Sequence, residues 1–313
     1  MIIVEGADNV GKTTLIKQLL STDPSLRLLK RERFKPGKDQ GSIAQTYLRA
    51  LLPANRDRVR HANSIADRFF ASECIYGELF RGGCRMSPGE HLAILQLLRS
   101  YHALVVYCAP PRETVLATWT KREQAYDNPG PIYDAYQQRI ADIFPGLPIY
   151  LHDWTTDAAY GATSIVNMHR HHLHEATRAL TWWGALPFGV GPLLAPTHLI
   201  VGESFASDTA TPFTVGESGD FFARAFAKLP TYLTNRTYFT PLRKDVVGNV
   251  AALREELAYL QPQRTIALGR TAAEILRYLN VPFAEVPHPT GWFHFHHADL
   301  IGYVKQLQEA FTT

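Results

Sequence analysis

The chain has 313 residues, 46% of them hydrophobic and 19% charged, with a formal charge of +3. That length buries an ample core and favours two domains over one, and no apolar run approaches the roughly 20 residues that cross a bilayer. A membrane partner is therefore excluded, the start of the chain lacks the architecture of a signal peptide, and a cytoplasmic location is expected.

The elements alternate from the outset. An apolar run, "MIIVEG", reads as a strand; a glycine-bracketed stretch follows; and a helix is predicted from Thr13. Next come the strand "ANSIADR", a helix through "FFASECIYGELF", a helix "GEHLAILQLLRSY", the strand "ALVVYCAPP" and the strand "PIYLHDW". Alternation of this kind predicts an α/β fold, a parallel sheet with helices on both faces, and "ALVVYC" has the unbroken apolar character of a strand buried on both sides. Residues 1–157 form the expected first domain, and 158–195 a linker with a His-rich helix and a Gly/Pro-punctuated stretch. In residues 196–313 the alternation restarts: strand "HLIVGE", helix "GDFFARAFAKL", strand "TYLTNRTYF", helix "VGNVAALREELAYLQ", strand "RTIALG", helix "RTAAEILRYLN", strand "FAEVPHP" and helix "ADLIGYVKQLQEAF". A second three-layer α/β domain follows from that order.

Charge is uneven between the halves. Residues 1–157 carry 20 Lys and Arg against 17 Asp and Glu, and residues 158–313 carry 12 against 12. The basic clusters "LLKRERFKPGK" and "NRDRVRH" suit either phosphates or a solvated face. The balanced second half argues against strong non-specific DNA binding, which needs a basic face. Cys74, Cys84 and Cys108 stand apart along the chain, so they suggest neither a disulfide framework nor a thiolate metal site and read as buried or reduced thiols.

Gly6 and Gly11-Lys12-Thr13 fit G-x-x-x-x-G-K-[ST] after a strand and at the start of a helix, the context in which that pattern cradles phosphate. Backbone amides across Gly6, Asn9, Gly11, Lys12, Thr13 and Thr14 would bind phosphate oxygens. Lys12 would reach the β and γ phosphates of ATP, and the Thr13 hydroxyl would ligate Mg²⁺.

In full, "EGADNVGKTT" resembles the loop of thymidylate kinases and phage deoxynucleotide kinases, with an acidic residue, Asp8, at its middle. The resemblance continues in "ADRFFASECIYGELFRG", where Asp67, Arg68, Phe69, Ser72 and Tyr76 match a strand ending in Asp-Arg followed by an aromatic, a Ser and a Tyr. It implies that Arg68 binds the acceptor's phosphate, that Asp67 sits near the metal, that Asp8 lies by the acceptor's sugar, and that Phe69 and Tyr76 belong to the acceptor site. In "PPRETVLATWTKREQAYDNPG" it implies a helical lid with Lys121 and Arg122 over the donor phosphates; an amphipathic surface helix is the alternative. A phage-encoded protein working in a host cytoplasm is the implied setting.

"LIVGESFASDTATPFTVGESGDFF", "YLTNRTYF", "TIALGRTAAEILR" and "VPHPTGWF" resemble, in order and spacing, the uracil-DNA glycosylase superfamily over residues 196–311. The resemblance implies an active loop after Gly202-Glu203, Phe213 stacked on a flipped pyrimidine, Asn235 at a strand end reading the base's polar edge, and His288-Pro289 against base and phosphate. The loop "GESFASD" lacks the Pro-Gly pair common in that family and no Arg follows "HPTG" closely, which points away from glycosylase activity although Glu203 or Asp208 could position a water.

Two histidine clusters, His169, His171, His172 and His174, and His294, His296 and His297, admit either a metal chelate at helical spacing or a solvated or interdomain helix for the first, and a pocket wall for the second. The expected activity is an ATP- and Mg²⁺-dependent phosphotransfer to a pyrimidine deoxynucleotide such as dTMP. Two alternatives are phosphorylation of 5-hydroxymethyluracil within DNA, and a nucleic-acid-binding or base-excision protein with a nucleotide-responsive loop. DNA and a second copy of the chain, as a homodimer, are the further partners considered.

Overall fold

The computed structural model describes residues 1–29, 43–52, 57–119, 129–157, 160–185, 189–203, 216–242 and 246–312. The chain forms two compact units, Met1–Met86 with Tyr101–Arg178, and Ser87–Ser100 with Ala179–Thr313.

The first unit follows β1 (Ile2–Glu5), α1 (Lys12–Thr22), β2 (Arg27–Leu28), α2 (Ile43–Leu51), α3 (Arg58–Ala62), β3 (Ser64–Asp67) and α4 (Phe70–Arg81). After α5 (Pro88–Ser100), which belongs to the other unit, it resumes with β4 (Leu104–Cys108), α6 (Arg112–Trp119), α7 (Gly130–Ile143), β5 (Ile149–His152) and most of α8 (Gly161–Ala185). Its sheet is parallel throughout, in the order β2-β3-β1-β4-β5, with Val4 opposite Asp67 on one side and Val106 on the other. Ile2, Ile3, Val4, Leu104, Val105 and Val106 are fully buried, as central strands covered on both faces must be. Because all strands run the same way, their carboxyl ends deliver Glu5, Asp67 and His152 to one edge of the sheet. Crevices at that edge are where open parallel sheets bind ligands.

Four sequence readings change here. Residues 160–178, expected in the linker, belong to the first unit. Residues 87–100, expected in the first domain, join the second unit, where α5 packs on α9 (Glu217–Phe226) with Leu92, Ile94, Leu97 and Leu98 buried. The cysteines expected to be isolated are not all so: the Sγ atoms of Cys74 on α4 and Cys84 lie 3.2 Å apart, because the Gly82-Gly83 turn folds back on the helix. Within "NRDRVRH", Arg58 turns inward rather than to solvent and donates to the Tyr101 hydroxyl at 2.8 Å.

The second unit continues through β6 (His198–Glu203), α9, α10 (Thr231–Thr234), β7 (Thr237–Leu242), α11 (Val246–Leu260), β8 (Arg264–Leu268), α12 (Arg270–Tyr278), β9 (Ala284–Val286), α13 (Pro289–Phe295) and α14 (Leu300–Thr312). Its parallel sheet has the order β7-β6-β8-β9. The predicted strand "TYLTNRTYF" begins only at Thr237. Its first residues make the single helical turn α10 after Pro230, with the Thr234 hydroxyl donating back to the Thr231 carbonyl at 3.2 Å. Thr and Tyr favour a half-buried strand in composition, but such preferences yield to context.

The His-rich helix places its imidazoles differently from one another. His169 is buried and pairs with Asn63 at 3.2 Å, whereas His171 meets Glu175 at 3.5 Å on the exposed face. Among the described residues no group of three or more metal-ligating side chains is placed to hold an ion.

Burial lowers the pKa of His61 and of His102 to about 4, and that of His169 to about 2. The charged and titratable neighbours are Arg58 and Asp57 at His61, His172 and Glu175 at His102, and Asp23, His172 and Arg170 at His169, with the buried Met1 amino group, itself lowered to about 4, acting on all three. In the unfolded chain each imidazole titrates near 6.5, so below that pH the unfolded state binds the protons first. The stability from these buried neutral rings is complete above about pH 6.5 and declines as pH falls from there towards 4. Urea-unfolding midpoints are expected to drop steadily between pH 7 and pH 5, and the drop should lessen in His169→Asn; a midpoint flat over that range would mean that the rings are solvated.

Candidate active site

The loop between β1 and α1 has a backbone that its residues make achievable. Gly6 (φ 139°) fits between the Cys108 carbonyl and the Val10 side chain, where a Cβ would come within 2.8 Å of the oxygen. Gly11 (φ 87°) caps α1 in a left-handed conformation that glycine adopts without strain. Thr13 and Thr14 are exposed on the first turn of α1, whose free amides face the loop. Lys12 is 6% exposed, and its ammonium donates to the Ala7 carbonyl of the same loop. Burial lowers its pKa to about 8 against the raising influence of Cys108, Glu5 and Asp67.

The end of β3 meets this loop. Arg68 holds a left-handed φ of 57°, uncommon for a non-glycine residue, and its guanidinium pairs with the Asp8 carboxylate. The other Asp8 oxygen accepts from the Tyr76 hydroxyl at 2.9 Å, and the Arg68 guanidinium carbon lies 5.9 Å from the Tyr76 ring centroid. Asp8, Arg68 and Tyr76, separated by up to 68 residues, are thus one bonded cluster.

Beneath it lies Glu5, fully buried, which accepts from the Phe69 amide at 2.6 Å and from the hydroxyls of Ser72 and Tyr136 at 3.3 Å each. Burial raises its pKa despite those bonds. Glu5 therefore fixes the start of α4, and with it the turn that carries Arg68. Nothing in the reading of the motif singled it out, although a carboxylate ending an apolar strand is a visible signal.

One cavity of about 670 Å³ joins these parts. Asp8, Asn9, Gly11, Lys12, Thr13 and Thr14 line it, together with Asp67 and Arg68. It also takes in Gln18, Thr118, His152 and Trp154, which the sequence reading did not place. Thr13 and Asp67 bring a hydroxyl and a carboxylate to the same cavity, the oxygen donor types that Mg²⁺ accepts. Phe69, expected in the acceptor site, is 1% exposed and packs edge-on against Tyr47 at 4.8 Å, so it belongs to the core, with its amide bonded to the buried Glu5. Lys121 and Arg122 lie outside the described residues.

The second unit gathers its own residues at the carboxyl edge of its sheet. His288 follows β9, caps α13, and places Nε2 3.4 Å from the Glu203 carbonyl at the end of β6. Burial lowers its pKa. Gly269, with φ 86° at the end of β8, lies against it, for a Cβ there would stand 2.8 Å from that of His288. The Thr290 and Ser218 hydroxyls bond at 3.1 Å, tying α13 to the first turn of α9.

Asn235 does not join them. The register sets Thr237 beside His198 and Leu242 beside Glu203, so Asn235 stands before the first residue of β7, roughly 20 Å along the strands from His288. Its Oδ1 accepts from Arg99 at 2.8 Å, a structural bond to α5. At the carboxyl end β7 presents Thr240, Pro241 and Leu242 instead. Phe213 and Asp208 lie outside the described residues.

Residues 188–309 match the family model of the uracil DNA glycosylase superfamily, so the resemblance of this region is confirmed. No curated protein matches the chain. Among solved structures, the chain is similar to the YorR protein of Bacillus subtilis, crystallised in complex with phosphorylated GDP, with 20% identity and a TM-score of 0.42, over 56% of this chain and 96% of that one. No helix among the described residues is long and apolar enough to cross a membrane.

Proposed function

We propose that the first unit is a thymidylate kinase-like phosphotransferase that moves the γ phosphoryl group of ATP to a pyrimidine deoxynucleotide, and that the second unit binds a pyrimidine base. What supports this best is the single cavity whose wall runs from the G-x-x-x-x-G-K-T loop to Asp67 and Arg68, with Asp8 bonded to Arg68 between them. Phosphoryl transfer needs little covalent help from a protein. It needs in-line placement and cations on both the donor and the acceptor side.

The chain supplies both. Loop amides and the amino end of α1 hold the donor's phosphates, and Lys12 exchanges the Ala7 carbonyl for the β and γ oxygens. Thr13 and Asp67 would hold Mg²⁺, which neutralises charge on the same oxygens. Arg68 turns its remaining N–H groups to the acceptor's phosphate while Asp8 and Tyr76 fix its plane.

A second reading is favoured by the superfamily match within the same chain: the acceptor is a hydroxyl on a modified pyrimidine in DNA, such as 5-hydroxymethyluracil. Glycosylase chemistry is disfavoured, since Thr240, Pro241 and Leu242 put no amide side chain at the end of β7 to read a base. The test uses the whole chain, because α5 lies within the first half of the sequence but in the second unit, and any cut after the first half removes it. Incubation with γ-labelled ATP and Mg²⁺, offering dTMP, dUMP, 5-hydroxymethyl-dUMP and DNA containing each base, is expected to label a free pyrimidine nucleotide. Label on DNA alone establishes the second reading, and label on none of them removes both.

A further inference from the structure

Trp154 stands two residues past β5 in a tight turn. Asp153 Oδ1 accepts from the Thr155 amide at 2.9 Å and from its hydroxyl at 2.7 Å, and the Asp157 amide donates to the Asp153 carbonyl at 2.7 Å. The turn presets the indole rather than leaving it to be ordered by a ligand. It lies directly over the loop: a Cβ at Gly11 would come within 2.8 Å of Trp154 Cδ1 and 3.4 Å of Nε1. Even so, 37% of the residue is exposed, and it lines the cavity.

The cavity has two ends. Asp8 and Arg68, bonded to each other, mark one with Asp67 at the end of β3; Gly11, Thr14 and Gln18, at the cap and along the first half of α1, mark the other with Trp154 against Gly11. A nucleotide with its phosphates on the loop and its γ group towards Arg68 must send its sugar and base out past Gly11 and the first turn of α1. The indole is the large π-face that the described residues offer there. Thr14 and Gln18 also line a second hollow of about 390 Å³ between α1 and the start of α8, with Lys17, Ser21 and Thr163, so the same end has room for a bulky group.

We propose that Trp154 is the platform on which the base of the donor nucleotide stacks, and that it makes the site select a nucleoside triphosphate over bare phosphate chains. The inference rests on the reading of the loop as the donor's phosphate site. Base–aromatic stacking is sequence-tolerant, since every base has a π-face, and its usual strength corresponds to roughly a ten- to hundredfold change in affinity.

Calorimetric titration of the whole protein with Mg-ATP and with Mg-tripolyphosphate, in wild type, Trp154→Ala and Trp154→Phe, tests it. Wild type is expected to bind ATP at least about tenfold more tightly than tripolyphosphate. Trp154→Ala should bring ATP down to the tripolyphosphate value and leave tripolyphosphate unchanged, and Trp154→Phe, which keeps a ring over Gly11, should retain part of the difference. Unchanged ATP affinity in Trp154→Ala overturns the platform, as does an equal loss for both ligands, which would make the indole a prop for the loop. If wild type binds neither ligand, the phosphate site itself is wrong, a failure distinct from that of the platform.

Discussion

Lys12→Ala is expected to lower phosphoryl transfer by about a thousandfold or more on every acceptor while the protein stays folded. The ammonium is buried beside the loop and already directed inward, so its removal takes a fixed positive charge from the place where charge develops on the transferring group. Its bond to the Ala7 carbonyl holds the side chain within the loop rather than in solvent. A pH signature accompanies the effect. With its pKa lowered to about 8 by burial, Lys12 in the free protein loses its charge as pH rises through that value. Affinity of the wild type for Mg-ATP should therefore weaken above pH 8, and that slope should vanish in Lys12→Ala. Initial rates with saturating ATP, together with titrations from pH 6.5 to 9.5, measure both. Turnover near that of the wild type in Lys12→Ala would show that the loop is not where phosphate is transferred.

Arg68→Ala should act on the other substrate, lowering kcat/KM for the acceptor by about a hundred- to a thousandfold and leaving ATP affinity intact. Two effects combine. On the proposed reading the fork for the acceptor's phosphate is lost, and among the described residues Asp8 keeps Tyr76 but loses its cation, leaving a carboxylate beside an incoming anion. Arg68→Lys separates them, since it restores charge without the planar fork: the acceptor's KM should recover in part and kcat less. The left-handed φ of 57° is imposed by neighbours, through the Arg68 amide on the Val4 carbonyl at 3.0 Å and the Phe69 amide on Glu5, so both variants should keep the turn. A fall in ATP affinity as large as the fall in acceptor efficiency would assign Arg68 to the donor side.

The G-x-x-x-x-G-K-T loop was legible because it is contiguous. Its glycines, lysine and threonine are spaced by the loop's own geometry, and the apolar strand before it and the helix after it are local patterns too. Asp8, Arg68 and Tyr76 could be named from a resemblance, but only the fold shows that all three are bonded to one another. Phe69 shows the limit of that route, for it stands within the same motif and its ring is in the core. His152 and Trp154 carried no motif at all. They reach the cavity because β5 lies beside β4 in a parallel sheet whose carboxyl ends share one edge.

Strand type, helix periodicity and the class of both units were therefore determined by the sequence itself, since apolar spacing records which faces a segment must bury. What only the tertiary structure decided was everything that depends on pairing between distant segments. Strand order brought Trp154 over Gly11 and the Gly82-Gly83 turn brought Cys84 against Cys74; helix packing drew α5 out of the first half of the chain into the second unit. The register of β7 against β6 moved Asn235 to the edge away from His288. The physical reason is that hydrophobic pattern tells a residue's side of a strand but not which end of which neighbour it meets. A parallel sheet sends opposite strand ends to opposite edges, so a residue just before a strand and one just after another cannot share a pocket, however well their order in the chain suggests it.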